Sequence, residues 1–251
     1  GFIGLPEVNL GLLPGAGGTQ RLPRLVGPAE ALKIMLSGRH IPAVKAVDMG
    51  VIDSLSEGNI VEDAVAFAKD VAEKNETHPL VRNLNEKVLA ARGDENIISE
   101  ARALAAKTRK GQFAPGKIIQ CVEAAINLDD FDEGMKKEAE YFIECLLNPQ
   151  REAMIHIFFG ERAASKINDV PKETPKMDIN KAGIIGSGTM GGGIAMCFAN
   201  IGIPVHIVDQ DEENLKKGLA AIERNYKFMV DRGRMSAEQK EKTFGLISSG
   251  L

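Results

Sequence analysis

Apolar residues recur along this 251-residue chain at two different periods. Across residues 94–166 they return every three or four positions, the spacing of a helix face: Ile97, Ala101, Leu104 and Ala105; Ile118, Ile119, Val122 and Ile126; Phe131, Met135, Ala139, Phe142 and Leu146; and a fourth run opening at Met154 to Phe159. Gly111-Gln-Phe-Ala-Pro115 and Leu147-Asn-Pro149 separate these helices, because proline restricts the residue before it and donates no backbone hydrogen bond. Nearer the start, Gly27-Pro-Ala-Glu30 begins a helix with proline in its first turn, continued by Ile34, Met35 and Leu36 as far as Gly38. Val51 to Leu55 reads as a short strand. Asn59-Ile-Val-Glu62 has the form of a capping box, and Ile60, Ala64, Phe67, Ala68 and Val71 mark the buried face expected of the following helix.

Beyond residue 168 the pattern changes. Asp169 to Asp178 is rich in proline and charge with almost no apolar content, which predicts a linker at 169–180 between a first domain at 1–168 and a second at 181–251. In the second, apolar Ala182 to Ile185 reads as a short buried strand and Ile203 to Asp209 as a second strand ending in an acid, separated by a helix bearing Ile194, Ala195, Phe198 and Ala199. A charged helix is expected from Glu212 to about Asp231, another behind the capping box Ser236-Ala-Glu-Gln239, and a third strand at Phe244 to Ser249. Such alternation implies an α/β fold with a parallel sheet.

The turn between the first strand and its helix carries the sharpest chemistry. Gly186, Gly188 and Gly191 have G-x-G-x-x-G spacing, a dinucleotide-binding fingerprint in its strand–turn–helix context. The first glycine permits the tight turn, the second leaves room for a pyrophosphate and the third lets helix and strand pack closely. The phosphates then meet the helix N-terminus, where free N–H groups and the dipole favour an anion. Asp209 lies 18 residues past Gly191, at the end of the second strand. There a carboxylate accepts hydrogen bonds from the adenosine ribose and repels a 2′-phosphate, which favours NAD over NADP. The competing reading makes Asp209 a cap for the next helix.

Composition narrows the classes. A hydrophobic content of 44% with 26% charged residues is that of an ordinary globular protein, and a net charge of −4 offers no general attraction to nucleic acid or anionic membrane. No apolar run reaches the roughly 18 residues that span a bilayer, so the expected ligand is a small molecule. Cys121, Cys145 and Cys197 lack C-x-x-C spacing, and His40, His78, His156 and His206 are scattered, so no metal site is expected. Gly1 falls inside a motif-bearing run and Leu251 follows the third candidate strand. The chain is therefore expected to be an internal piece of a longer polypeptide.

The remaining motif is Gly4-Leu-Pro-Glu-Val-Asn-Leu-Gly-Leu-Leu-Pro-Gly-Ala-Gly-Gly-Thr-Gln-Arg-Leu22, one carboxylate ahead of a glycine-rich loop that enters a helix near Gly18. Walls of Leu5, Val8 and Leu10 would desolvate Glu7, the condition under which a glutamate works as an acid/base, and loop N–H groups such as that of Gly15 can hold a water beside it. The plain alternative is a surface glutamate in a turn. The stretch from Pro6 to Leu22 closely resembles the enoyl-CoA hydratase/isomerase (crotonase) family. That resemblance implies that Glu7 is the catalytic glutamate moving the α-carbon proton, that the Gly15 N–H helps hold the reacting water, and that Thr19 to Leu22 form the helix beneath. The family's second glutamate and its oxyanion-hole N–H groups precede the matched stretch, so hydratase and isomerase both remain open.

Gly186-Ser-Gly-Thr-Met-Gly-Gly-Gly-Ile-Ala195 and Val208-Asp-Gln210 resemble the L-3-hydroxyacyl-CoA dehydrogenases. By that resemblance Gly186, Ser187, Gly188, Thr189, Met190, Gly191, Asp209 and Gln210 hold NAD. The catalytic His/Glu pair of that family lies beyond the matched stretch. The two resemblances in succession are those of the multifunctional fatty-acid β-oxidation enzymes. They imply the C-terminal part of a crotonase-like fold with a helical region, then the first half of a Rossmann domain. Acyl-CoA thioester substrates, a thiolase partner or homo-oligomer, and a bacterial cytoplasmic or peroxisomal setting follow from the same resemblance. A non-catalytic module that keeps CoA and NAD surfaces is the alternative from a different class.

Overall fold

In the computed structural model, residues 1–74, 80–171 and 173–251 are described, and they divide into two units, Gly1–Ile167 and Asn168–Leu251. His78 lies outside the described residues.

The first unit is helical. A two-residue strand β1 (Phe2–Ile3) pairs antiparallel with β2 (Ile41–Pro42), and a 3-10 turn at Pro6–Leu10 leads through the glycine loop into α1 (Gly18–Val26) and α2 (Pro28–Ser37). Then follow α3 (Ala43–Asp48), α4 (Ile60–Lys74), α5 (Glu86–Leu89), α6 (Glu95–Thr108), α7 (Ala114–Asn127), α8 (Phe131–Leu147) and α9 (Pro149–Ala164). The core centres on α7, whose Ile118, Ile119 and Val122 are sealed against α1, α2, α6 and α8. Burying each such side chain contributes roughly 1.5–3 kcal/mol. Glycine brackets α2 as its sequence predicts: Pro28 follows Gly27 at the start, and Gly38, with φ +61°, stops it and donates its N–H to Ile34 O.

Several sequence expectations are corrected. Val51 to Leu55 is not a strand, because the N–H groups of Val51 and Ile52 both return to Ala46 O and close the end of α3. Helix α4 forms, but its apolar face is not buried: Ile60 is 71% exposed and Phe67 44%. Its cap is one-sided. Asn59 Oδ1 accepts the Val61 N–H at 3.0 Å, whereas Glu62 reaches only the Asn59 side chain, so the reciprocal box does not close. On α8, Ala139 and Leu146 are exposed, and the face turned inward carries Phe131, Gly134, Glu138 and Cys145. On α9, Ile157 and Phe159 are exposed while Met154, Ile155 and Phe158 are half-buried.

The second unit is a parallel three-stranded sheet in the order β3 (Ala182–Ile185), β4 (Val205–Val208), β5 (Ile247–Gly250). The register pairs Ala182 with Val205 and Val205 with Ile247. Helix α10 (Thr189–Asn200) connects the first two strands, and α11 (Glu212–Asp231) and α12 (Ala237–Phe244) connect the last two. The third strand starts later than expected because α12 runs through Phe244. Ser236 and Gln239 do form the reciprocal box at the start of α12. Ala195, Val205, Ile207, Ile222 and Tyr226 make the core, and the Tyr226 hydroxyl donates to Asn200 Oδ1 at 3.1 Å.

Packing separates two helical glycines. A Cβ at Gly134 would run into the buried Gln20 Oε1, whereas one at Gly116 in α7 meets nothing within 4 Å. Gly134→Ala is expected to destabilise the first unit by about 1–3 kcal/mol through overpacking. Gly116→Ala should stabilise it by up to about 1 kcal/mol. Denaturant melts of the two variants check both signs.

Candidate functional site

Glu7 is the second residue of the 3-10 turn, after Pro6, which presets the backbone for that position. The turn is closed by Gly11, with φ +71°, and by the Leu12 N–H donating to Glu7 O at 3.1 Å. It is clamped to the end of α2: Asn9 Nδ2 donates to Gly38 O at 3.0 Å, and Arg109 spans Leu36 O, Ser37 O and Asn9 Oδ1. Burial, with Arg39 nearby, lowers the Arg109 guanidinium from its usual value. The Glu7 side chain is half-buried, and its Oε2 is removed from solvent without a hydrogen-bond partner among the described residues. Gln20 Oε1, Gln112 Oε1 and Arg151 Nε share that condition, so the missing partner singles out Glu7 only together with its place ahead of the glycine loop.

Gly15 sits at the exposed bend of the loop, and its N–H donates to no acceptor among the described residues. Phe142 of α8 occupies the space that a side chain there would need, so only glycine fits. No hydrogen bond joins Glu7 and Gly15. The ends of their loop do meet, since Leu5 lies 3.5 Å from where a Cβ on Gly18 would stand.

The residue that sequence reasoning missed is Glu138. It is 1% exposed, and it accepts the Gly17 N–H at 2.6 Å and both the Thr19 N–H at 3.0 Å and the Thr19 hydroxyl at 2.5 Å. Its only sequence signal is its position three residues after Met135 and four before Phe142, on an otherwise inward face. Nearby thiols are inert. Burial pushes Cys121 up to about 12 and Cys145 up to about 11, so neither supplies a thiolate near neutral pH.

In the second unit the glycine loop has the geometry its motif implies. Gly186 has φ +92° and donates its N–H to Val208 O at 2.7 Å, turning the chain out of β3. A Cβ at Gly188 would meet nothing within 4 Å, so space stands open at the start of α10. A Cβ at Gly191 would strike Gly186 O, so that glycine is required for close helix–loop packing. Thr189 and Met190 are exposed at the first turn. A cleft of about 580 Å³ borders Ser187, Gly188, Thr189, Asp209, Asn214 and Lys217.

Asp209 does not cap α11. That role belongs to Asp211, whose Oδ1 accepts the Asn214 N–H at 2.7 Å. Asp209 Oδ2 instead accepts the Ser187 hydroxyl at 2.5 Å and the Ser187 N–H at 2.7 Å, while Oδ1 accepts the Gln210 N–H. The Ser187 hydroxyl, its N–H and the Gln210 N–H hold this carboxyl below its usual range. The Ser187 hydroxyl as a partner of Asp209 is not encoded in the glycine spacing. An open approach at Gly188, a helix N-terminus beyond it and a carboxylate at the tip of β4 fit a dinucleotide. Among the described residues no group of three His, Cys, Asp or Glu side chains is placed to hold a metal, and no helix is long and apolar enough to cross a membrane.

Residues 181–250 match the NAD binding domain of 3-hydroxyacyl-CoA dehydrogenase, and residues 2–118 match enoyl-CoA hydratase/isomerase. The chain therefore joins a crotonase-like segment to an NAD-binding domain of the hydroxyacyl-CoA dehydrogenase type. Relatives carry the two in one chain. A peroxisomal bifunctional enzyme of Cavia porcellus is 37% identical over 85% of this chain and 30% of its own length. A peroxisomal fatty acid beta-oxidation multifunctional protein of Arabidopsis thaliana is 33% identical over 99% of this chain and 35% of its own. The fatty acid oxidation complex subunit alpha of a Shewanella species is 35% identical over 99% of this chain and 35% of its own. The chain thus spans about a third of the length of the curated relatives it matches.

The loop geometry separates its glycines experimentally. Gly191→Ala is expected to lower the melting temperature of the second unit clearly, since the collision is with backbone. Gly188→Ala should leave it nearly unchanged. Thermal melts followed by circular dichroism distinguish the two.

Proposed function

We propose that the protein hydrates trans-2-enoyl-CoA and oxidises the resulting L-3-hydroxyacyl-CoA with NAD, as a step pair of fatty-acid β-oxidation. What carries this reading is the succession of the two matched segments in one chain. In the domain division that goes with it, 1–168 is crotonase-like with its helical region, 169–180 is the linker and 181–251 is the NAD-binding part.

In the first reaction Glu7 delivers the proton to the substrate α-carbon, and the Gly15 N–H holds the water whose hydroxyl adds at the β-carbon as its other proton passes to the second carboxylate that the family places ahead of the matched stretch. The unpartnered Oε2 supports that role for Glu7: a group that exchanges protons with a ligand has no internal partner to give up. In the second reaction bound NAD would supply the hydride acceptor for C3 of the hydroxyacyl group, with the hydroxyl proton leaving to a general base. Gly188, Thr189, Met190 and Gly191 would bring backbone N–H groups to the pyrophosphate, Gly186 and Ser187 shape the turn with their N–H groups given to Val208 O and Asp209 Oδ2, and Asp209 with Gln210 would face the adenosine ribose. Asp209 can accept ribose hydroxyls while still tied to Ser187, since each carboxylate oxygen accepts more than one hydrogen bond. The product is a 3-ketoacyl-CoA, the substrate of a thiolase, and the relative named as subunit alpha of a complex supports a partner chain or homo-oligomer. A peroxisomal or bacterial cytoplasmic setting follows the relatives.

Glu7→Gln in the complete protein is expected to lower hydration of a short enoyl-CoA by about 10²–10⁴-fold, with NAD-dependent oxidation unchanged. Parallel assays of enoyl thioester absorbance and NADH formation check it. Hydration within threefold of wild type would identify Glu7 as a turn residue. A variant protein that loses double-bond shift of 3-enoyl-CoA, from a wild type that never hydrates, would make the first site an isomerase.

Asp209 predicts the cofactor preference. A 2′-phosphate brought against its carboxylate is repelled, so NAD is expected to bind at least about tenfold more tightly than NADP, and Asp209→Ala should abolish the difference. Because the folded carboxyl titrates below its usual range, it stays charged throughout the neutral range. The preference should hold from pH 8 to pH 5 and fade only on further acidification, as the carboxylate takes up its proton. Fluorescence titration with NADH and NADPH at several pH values measures this.

A further inference from the structure

We infer that Glu138 is a positioning residue for the hydration site, resting on the reading of Glu7 and Gly15 given above. It sets the direction of the Gly15 N–H by fixing the backbone that follows.

Helix α8 presents one continuous face to the loop. Phe142 fills the place of a side chain at Gly15, Met135 Sδ stands 3.3 Å from the Cβ position of Gly17, Glu138 takes the N–H groups of Gly17 and Thr19, and Gly134 makes room for Gln20. Positions 134, 135, 138 and 142 of one helix thus meet Gln20, Gly17, Gly17 with Thr19, and Gly15 respectively. Only Glu138 on this face makes hydrogen bonds to the loop backbone.

The loop needs such a bond. Gly15, Gly17 and Gly18 lack the side-chain restrictions that hold other residues to one conformation, and Gly17 lies at φ +84°. A buried carboxylate without donors is strongly unfavourable, so Glu138 enforces the backbone that brings it three. No basic side chain pairs with Glu138 among the described residues. Its charge is met by backbone dipoles at the N-terminus of α1 and by the Thr19 hydroxyl. Those donors have direction, so the arrangement orients the loop as well as stabilising it. Gly15 is two residues from the first of these bonds, and its N–H acts on a water whose position governs the rate.

Glu138→Gln keeps the shape of the side chain but turns one acceptor into a donor facing N–H or O–H donors. In the complete protein its hydration kcat is expected to fall 10- to 100-fold, with KM for a short trans-2-enoyl-CoA within threefold and NAD-dependent oxidation within twofold. A finer pair keeps the carboxylate: Thr19→Ser, which keeps the hydroxyl donor, should retain near wild-type kcat, and Thr19→Val, which deletes one donor of the three, should lower kcat about tenfold. If Glu138→Gln loses its cooperative melt, the Thr19 pair decides. An unchanged kcat in the folded Glu138→Gln or in Thr19→Val, or a loss confined to KM, overturns the inference while Glu7→Gln remains inactive. A Glu7→Gln enzyme that still hydrates overturns the Glu7 reading itself, and this role with it.

Discussion

A carboxylate that accepts both a backbone N–H and a neighbouring hydroxyl holds each of the two glycine loops. Glu138 does this for the loop before α1, with Gly17 and Thr19. Asp209 does it for the loop before α10, through Ser187 alone. Glycine is needed at both places, for positive φ at Gly17 and Gly186 and for close approach at Gly15 and Gly191. That need removes the local stiffness side chains would supply, and the ordering must come from outside the loop.

The two ties differ in burial, and the difference matches what each loop has to do. Glu138 is sealed from water, so its partners cannot be exchanged for solvent and the loop it holds has one shape. Asp209 faces a cleft, with Oδ2 bonded to Ser187 and Oδ1 accepting the Gln210 N–H. On the proposed reading a ribose hydroxyl adds to these bonds without displacing Ser187, since each carboxylate oxygen accepts more than one hydrogen bond. On the proposed reading, the first loop aims an N–H at a small reactant and the second admits a large one.

Local signals were legible in the sequence because they are local. Gly27-Pro28 and Gly38 bound α2, Ser236 and Gln239 cap α12, and the glycine spacing lies between β3 and α10, each set by residues a few positions apart. What failed were inferences needing a partner. Val51 and Ile52 have the composition of a strand, but Ala46 O lies within reach of both N–H groups and the segment curls onto α3. The stripe on α4 has helical spacing but finds no cover among the described residues. Glu138 was invisible for the opposite reason. A charged residue on an apolar stripe reads as a gap in it, and its partners lie 119 and 121 residues away.

The first unit therefore holds two inward carboxylates in opposite states. Glu138 has three donors on its two oxygens, while Glu7 has an oxygen that is buried with none. A saturated carboxylate is held in place by what it binds and is a poor candidate to exchange a proton. An unsatisfied one carries a standing cost of desolvation that a ligand can relieve. The apolar Val8 and the Arg109 clamp keep Glu7 in that position instead of letting its turn swing out to water. Hydrogen-bond accounting thus agrees with the proposed division of chemistry to Glu7 and architecture to Glu138.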